Sequence, residues 1–160
     1  MIGIAASAFF CIPISAAQDP TIEPDFGDNS SSWTHDDECD DPRFIGKGMA
    51  IGLVTNNIGR DASDCRKAFR RETIRLNPLF ATPTRQNPIN FGDNTSDFAF
   101  DGVCDDVRFT GQYSEDVVYL VEDIGHDADD CRKAYRAGIA RWQDNSASPI
   151  LGKTEESLDG

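Results

Sequence analysis

Two pairs of adjacent aspartates each follow a cysteine and precede an arginine, in the segments CDDPRF from Cys39 and CDDVRF from Cys104. Carboxylates on a short polar loop could ligate calcium, which takes about six to eight oxygen ligands in proteins. They could instead pair with arginine, whose guanidinium binds a carboxylate through two parallel hydrogen bonds. Paired carboxylates also carry out acid–base hydrolysis in glycosidases. These segments therefore suggest three kinds of chemistry: cation binding, ion pairing or hydrolysis.

The pattern that contains these aspartates occurs twice in the chain. The two cysteine–aspartate segments lie 65 residues apart. Downstream, DASDCRKAFR from Asp61 matches DADDCRKAYR from Asp127, and upstream FGDNSS from Phe26 matches FGDNTS from Phe91. We therefore predict an α+β fold of two small tandem disulfide-closed repeats. Each repeat is expected to contain an Asp-rich loop, short strands and one amphipathic helix.

Composition divides the rest of the chain. The first seventeen residues are apolar and uncharged and end in a small-x-small site, which is typical of a secretory signal peptide. This run is shorter than the roughly 20 apolar residues that span a membrane. We expect a protein exported to the periplasm or the cell exterior, without membrane insertion after signal removal. The predicted segments are signal peptide 1–17, disordered lead-in 18–25, repeat 26–76, proline-bearing linker 77–90, repeat 91–142 and flexible tail 143–160.

The cysteines support this organisation. Removal of the signal peptide takes away Cys11 and leaves four cysteines, for which three pairings exist. Spacing does not choose among them, but the duplication does, because each copy has one cysteine in its acidic loop and one in its DCRKA segment. The predicted disulfides are Cys39–Cys65 and Cys104–Cys131. Each would stabilise a unit too small to bury much core by about 3.5 kcal/mol in the chain-entropy estimate.

The DCRKA segments predict the helix of each repeat. Asp61 and Asp127 stand where an N-cap is expected, and another aspartate follows three residues later, an acidic variant of the capping box. Alanines, the cysteine and an aromatic residue then recur at helical spacing and form an apolar stripe. Basic residues occupy the remaining faces. Gly138 is expected to end the second helix.

Short strands are expected around the helices. The segments TIRL at 73–76 and IARW at 139–142 could each add a terminal strand. The β-branched and aromatic run DVVYLV at 116–121 predicts a further strand in the second repeat. The large aromatic residue of each acidic loop, Trp33 or Phe98, is expected to pack inward.

The predicted disulfides would bring the acidic loop to the helix. Bridged Cα atoms usually lie about 5.5–6 Å apart. Asp40 and Asp41 follow one cysteine of the bridge directly, and basic residues follow the other. We therefore expect the carboxylates to fasten the loop by charge pairing. In the two copies the expected basic partners are Arg43, Arg66, Lys67, Arg108, Arg132 and Lys133.

A calcium site in each repeat is the alternative use of these carboxylates. The spacing differs from that of an EF-hand, and no glutamate recurs at a fixed place in the two copies. Calcium is the one cofactor that the sequence suggests. The candidate ligands are the aspartates that occur in both copies, namely Asp28, Asp36, Asp40, Asp41, Asp93, Asp101, Asp105 and Asp106.

The combined motif, CDDxRF followed by DAxDCRKA, resembles a short cysteine- and aspartate-rich repeat of exported bacterial proteins. That repeat stands alone or beside a peptidase domain, and the resemblance covers both copies here. It implies an accessory, non-catalytic module. The segment DGVCDD is also similar to the calcium-binding cysteine-rich modules of animal receptors, which contain several more cysteines per module.

Charge and the absence of catalytic motifs narrow the function. A net charge of −13 disfavours nucleic acid and anionic lipid as partners and suits cations or a basic protein. His35 and His126 are the only histidines and do not occupy equivalent positions in the two copies. We therefore predict a non-catalytic binding or interaction module whose partner is a basic protein, a cation or a cell-envelope component. A hydrolase or accessory subunit that uses the loop carboxylates is the remaining alternative. The aromatic residues to test for a partner surface are Trp33, Phe80, Tyr113 and Trp142.

Overall fold

The two halves of the chain fold into the same small unit in the computed structural model, which describes residues 23–111 and 117–143. Each unit contains, in order, an acidic loop, a short strand, a 3₁₀ turn, a helix and a second strand. The predicted signal peptide, Tyr113 and nearly all of the predicted tail lie outside the described residues. The helices and strands are β1 (Phe44–Gly46), α1 (Ala62–Arg70), β2 (Ile74–Leu76), β3 (Phe109–Gly111), α2 (Ala128–Arg136) and β4 (Ala140–Trp142).

Each repeat closes with a two-stranded antiparallel sheet. Strand β1 pairs with β2 so that Phe44 lies opposite Leu76, and β3 pairs with β4 so that Phe109 lies opposite Trp142. The terminal strands predicted from TIRL and IARW are thus confirmed. The strand predicted at 116–121 is wrong: residues 117–120 have no regular structure, and a 3₁₀ turn begins at residue 121. The partner of each terminal strand is instead the segment that directly follows CDDxR.

The predicted helices and disulfides are also confirmed. Helices α1 and α2 are nine residues long and start directly after Asp61 and Asp127. The Cys39–Cys65 and Cys104–Cys131 bridges join the acidic loop of each repeat to the buried face of its helix, with Cα atoms 4.5 Å apart in both. The observed fold is therefore the predicted α+β arrangement of two disulfide-closed repeats.

A stacked pair of aromatic rings and the disulfide lie in each core, and a third ring from the helix meets the pair edge-on. In the first repeat, Phe26 stacks on Phe44 at 5.5 Å between ring centroids, and Phe69 of α1 meets Phe26 edge-on at 5.7 Å. The second repeat places Phe91, Phe109 and the ring of residue 135 in the same way. Because so little apolar surface is buried in each unit, the disulfide contributes a large share of its stability.

The aromatic residue of the acidic loop does not join this core. Trp33 is 60 % exposed and Phe98 is 47 % exposed, so the prediction that they pack inward is wrong. Phe80, in the 3₁₀ turn Pro78–Phe80 of the linker, is by contrast buried.

The end of each helix requires a left-handed residue, and the two copies supply different ones. Gly138 has φ +71° and its N–H donates to the Tyr135 carbonyl, so it ends α2 as predicted. The equivalent residue after α1 is Glu72, with φ +57°. A side chain at such a φ costs about 1–2 kcal/mol relative to its preferred conformations, whereas glycine tolerates it.

We expect Glu72→Gly to raise the free energy of unfolding of the first repeat by about 0.5–1 kcal/mol. The matched change, Gly138→Ala, should lower that of the second repeat by about 1 kcal/mol, because its Cβ would meet open space and only backbone strain remains. Urea unfolding of the oxidised protein measures both changes. A destabilising effect of Glu72→Gly would contradict this explanation.

Candidate functional site

The arginine of each CDDxR segment forms a buried ion pair with the second aspartate of the same segment. Arg108 is fully buried, its Nε lies 2.9 Å from Asp106 Oδ1, and its Nη2 lies 2.5 Å from Oδ2. The Asp106 carboxylate also accepts the Gly125 N–H at 2.7 Å. Arg43 and Asp41 repeat the arrangement, with Nη2 2.6 Å from Oδ2. Both aspartates thus hold the loop against the turn that precedes the helix.

The second of these arginines also binds the linker. Arg108 Nη1 donates to the carbonyl oxygens of Leu79 at 3.0 Å and Asn90 at 2.8 Å, both of which belong to the predicted linker. Its Nη2 lies 3.4 Å from the Phe91 carbonyl oxygen. One guanidinium therefore joins the acidic loop of the second repeat to the chain segment that enters it.

The basic residues of α1 contact groups other than the paired aspartates that were their expected partners. Lys67 forms an ion pair with Asp37, farther up the acidic loop. The Arg66 guanidinium lies over the Phe26 ring, 5.1 Å from its centroid. Loop and helix are therefore linked by charge in the first repeat, but through an exposed carboxylate rather than through the aspartates beside the disulfide.

In the second repeat the helix bases pair within the helix. Arg132 Nη1 lies 2.9 Å from Asp129 Oδ1, and the guanidinium lies over the Phe91 ring at 5.1 Å. Lys133 Nζ lies 3.0 Å from Asp130 Oδ1. The arginine inside each loop is closer to the paired aspartates than any helix base, since it follows them by two residues.

The aspartate at the start of each helix turns into the protein instead of capping the helix with its side chain. Asp61 Oδ2 accepts the Asp40 N–H at 2.8 Å, and Asp127 Oδ2 accepts the Asp105 N–H at 2.8 Å. Neither side chain makes a capping hydrogen bond. Both are fully buried, and Asp61 Oδ2 lies 3.6 Å from the sulfur of Cys65. A disulfide sulfur carries no proton, so it cannot donate a hydrogen bond to this carboxylate.

The FGDN segment caps the helix in place of Asp61. The Ala62 N–H donates to the carbonyl oxygen of Asp28 at 2.8 Å, and the Ser63 N–H donates to Asn29 Oδ1 at 2.8 Å. The second repeat has the same two bonds at the start of α2. A distant loop therefore satisfies the first N–H groups that a helix leaves unpaired, which releases the Asp61 side chain for another role.

Burial changes the acidity of these carboxyl groups. Burial raises the pKa of Asp61 to about 7, and the negative charges of Asp64 and Asp40 act in the same direction. The hydrogen bond from the Asp40 N–H opposes this increase. The pKa of Asp127 is likewise raised to about 7, and burial raises that of Asp105 to about 6. The pKa of Asp40 is raised for the same first reason. Each repeat thus contains two adjacent carboxyl groups that resist ionisation.

In metal-free protein this burial should make stability fall as the pH rises. Between about pH 4 and pH 7 the unfolded chain releases the Asp61 and Asp127 protons while the folded chain retains them, so the unfolded state is favoured. The loss should approach a few kcal/mol per repeat and level off above about pH 7. Thermal melts in excess chelator at a series of pH values measure it. Asp61→Asn and Asp127→Asn should make stability less dependent on pH. If the double variant kept the same slope of melting temperature against pH, these two aspartates would not be its cause.

The eight candidate calcium ligands form four pairs of equivalent residues, which differ in their surroundings. Asp28 and Asp93 are exposed and accept hydrogen bonds from residues 30 and 95 of their own turns. The second aspartate of each CDDxR segment is held by arginine, as described above. Asp40 and Asp105 are buried, and each has one oxygen, Oδ2, with no hydrogen-bond partner. The remaining pair, Asp36 and Asp101, is exposed.

Residues 23–111 and 117–143 contain two groups of potential metal-binding side chains. In each group, three ligand atoms lie within 4.8 Å of one another. Each consists of a helix-start aspartate and the two sulfurs of the neighbouring disulfide, so the sulfurs are unavailable as thiolate ligands. None of the eight predicted ligands belongs to these groups.

Sequence reasoning missed the role of the aspartates at the helix starts. The pattern predicts that Asp61 and Asp64, like Asp127 and Asp130 in the second copy, cap the helix, but all four are buried. Asp64 Oδ2 accepts the N–H groups of His35 and Asp36 and so holds the acidic loop. The sequence feature that could have indicated this role is that these aspartates recur in both copies, close to a cysteine of the disulfide.

The disulfides indicate an oxidising, exported environment. No helix in the described part of the chain is long and apolar enough to cross a membrane. In comparisons with known proteins, no family model, curated protein or solved structure matches this chain.

Proposed function

We propose that this chain is an exported, non-catalytic interaction module that binds a basic protein in the periplasm or outside the cell. The observation that carries the proposal is a matched pair of exposed aromatic side chains. Trp33 and Phe98 occupy equivalent positions in the two acidic loops and are 60 % and 47 % exposed. Aromatic side chains supply much of the binding energy of protein interfaces, and folding leaves these two in contact with solvent.

The surroundings of both rings are acidic. Near Trp33 the loop exposes Asp36, Asp37 and Glu38. Beside Phe98 lies a shallow cleft of about 450 Å³, whose wall includes the side chains of Val118 and Asp101. Apolar rings with carboxylates around them complement a partner surface that carries lysine or arginine beside apolar groups.

Two copies favour bivalent binding. A first contact holds the second repeat near the partner, so its effective concentration increases and the combined affinity exceeds that of either repeat.

The contacts of the polar side chains support the non-catalytic part of the proposal. The second aspartate of each CDDxR segment holds an arginine. His126, which has no counterpart in the first repeat, places its Nδ1 2.6 Å from Oδ1 of the exposed Asp93.

A capture experiment with matched variants tests the proposal. Oxidised protein on a resin should retain a basic protein from an envelope extract and release it at high salt, since exposed charges are screened. The purified partner should then bind Trp33→Ala and Phe98→Ala each on the order of tenfold more weakly, and the double variant more weakly still. Ile51→Ala is the control, because Ile51 is fully exposed but lies outside the acidic loop. Salt-insensitive capture, or unchanged binding by the double variant, would reject the proposal.

A further inference from the structure

Each repeat buries carboxylate oxygens that have no hydrogen-bond partner. In the first repeat these are Asp40 Oδ2 and Asp61 Oδ1, on side chains that are 4 % and 0 % exposed. The second repeat shows the same at Asp105 Oδ2 and Asp127 Oδ1, and there Asp123 Oδ2 is a third buried carboxylate oxygen without a partner. Buried polar atoms in folded proteins almost always have a partner, and an ionised oxygen without one is costly. The same two orphan oxygens at matched positions indicate a missing partner rather than a local accident.

Further carboxylates lie around these oxygens. The negative charges of Asp36 and Asp64 both act on Asp61, and both also act on Asp40. The buried Asp64 also accepts the Asp36 N–H at 3.1 Å, which ties the exposed part of the acidic loop to the helix. The equivalent aspartates of the second repeat act on Asp105 and Asp127 in the same way.

The ion pairs of the described residues place the nearby basic side chains on carboxylates other than these four. Arg43 and Arg108 bind the second aspartate of each CDDxR segment, and Lys67 binds Asp37. The described ion pairs do include Lys133 with Asp130, but that lysine side chain is 70 % exposed. None of the described ion pairs involves Asp40, Asp61, Asp105 or Asp127, so no side chain in those pairs would neutralise these groups once they ionise.

We propose that each repeat binds one calcium ion beside its disulfide, at the inner end of the acidic loop. Oxygen ligands select hard cations, and a flexible loop that offers several carboxylates suits calcium better than the smaller, strictly octahedral magnesium. The ligands assigned are Asp36, Asp40, Asp61 and Asp64 in the first repeat and Asp101, Asp105, Asp127 and Asp130 in the second.

This set differs from the one suggested by the aspartate pattern alone. It keeps Asp36 and Asp40 but replaces Asp28 and Asp41 with the two helix-start aspartates. Asp41 is neutralised by Arg43, and Asp28 bonds to its own turn. The carboxylates of the new set are spaced more widely than a closed coordination shell, so binding should draw the exposed Asp36 inward and order the loop that carries Trp33. The site is inferred from these residues alone and does not depend on the protein partner proposed above.

Calorimetry and melting of the full, oxidised chain test the site. After chelator treatment and dialysis, calcium should bind with one ion per repeat and raise the melting temperature, because it binds the folded state. Magnesium at the same concentration should have a much smaller effect. No heat of binding and no rise in melting temperature at millimolar calcium would overturn the proposal.

Two pairs of variants distinguish the assigned ligands from the earlier set. Asp36→Asn with Asp101→Asn should weaken calcium binding roughly tenfold or more, since ligand charge sets affinity, and should leave the metal-free melting temperature nearly unchanged because both residues are exposed. Asp28→Asn with Asp93→Asn, also exposed, is the control and should bind calcium as before. If only the control pair lost binding, the ligand assignment would be wrong. These measurements need no protein partner, so their failure would leave the proposed interaction function standing.

Discussion

Replacing Arg108 with methionine is expected to lower the free energy of unfolding of the second repeat by about 3–5 kcal/mol. Arg108 is fully buried, and its partner Asp106 is 1 % exposed. The variant would leave a buried carboxylate without its cation and remove the donor that binds the carbonyls of Leu79 and Asn90. An uncompensated buried charge is among the most destabilising changes that a single substitution can cause.

Fluorescence of the second repeat provides a local measurement. The Arg108 guanidinium lies 5.7 Å from the Trp142 ring centroid, so unfolding of this repeat should change the Trp142 emission. In a Trp33→Phe background, Trp142 is the only tryptophan. Urea unfolding of that protein, with and without Arg108→Met, gives the difference directly.

Two further variants identify the cause of the loss. Arg108→Lys should recover only part of the stability, because one ammonium group cannot reproduce the fork of hydrogen bonds to Asp106. Asp106→Asn combined with Arg108→Met should cost less than the sum of the single changes, since the buried charge is gone. A loss below about 1 kcal/mol for Arg108→Met would show that the ion pair does not fasten the loop.

Gly92→Ala is expected to destabilise the second repeat by about 3 kcal/mol or more. Gly92 has φ +82°, and a Cβ there would lie 1.8 Å from the carbonyl oxygen of Gly125. That oxygen accepts the Asp93 N–H at 2.9 Å, so the contact is part of the hydrogen bonding that sets the FGDN segment at the start of α2. The clash is with backbone, which cannot move away as a flexible side chain would.

Gly102→Ala separates the clash from backbone strain. Gly102 has φ +93°, but a Cβ there meets nothing within 4 Å. Only the cost of a left-handed conformation, about 1–2 kcal/mol, should remain. Urea unfolding of both variants measures the difference. Equal losses would show that the close approach of Gly92 to the turn before α2 is not required by the fold.

The sequence by itself determined the two units, their helices and their terminal strands. Duplication identified the repeats, and because each copy contains one cysteine in each motif, it also identified the disulfides. Helical periodicity of the DCRKA segments placed α1 and α2, and Gly138 ended the second helix as expected. These features are encoded locally, by spacing along one segment or by its recurrence, so they can be found without knowledge of the remaining contacts.

Tertiary structure decided where the functional side chains point. Asp61 occupies a position where aspartate usually caps a helix, but a loop more than thirty residues away supplies the cap and the carboxylate turns inward. Asp41 pairs with Arg43 rather than with a helix base, and Trp33 is exposed whereas Phe26 stacks on Phe44 in the core. The helix cap comes from a group distant in the chain, and the choice between Arg43 and a helix base as partner of Asp41 depends on the folded geometry. Spacing along the chain does not contain that information, because the competition takes place only in the folded state.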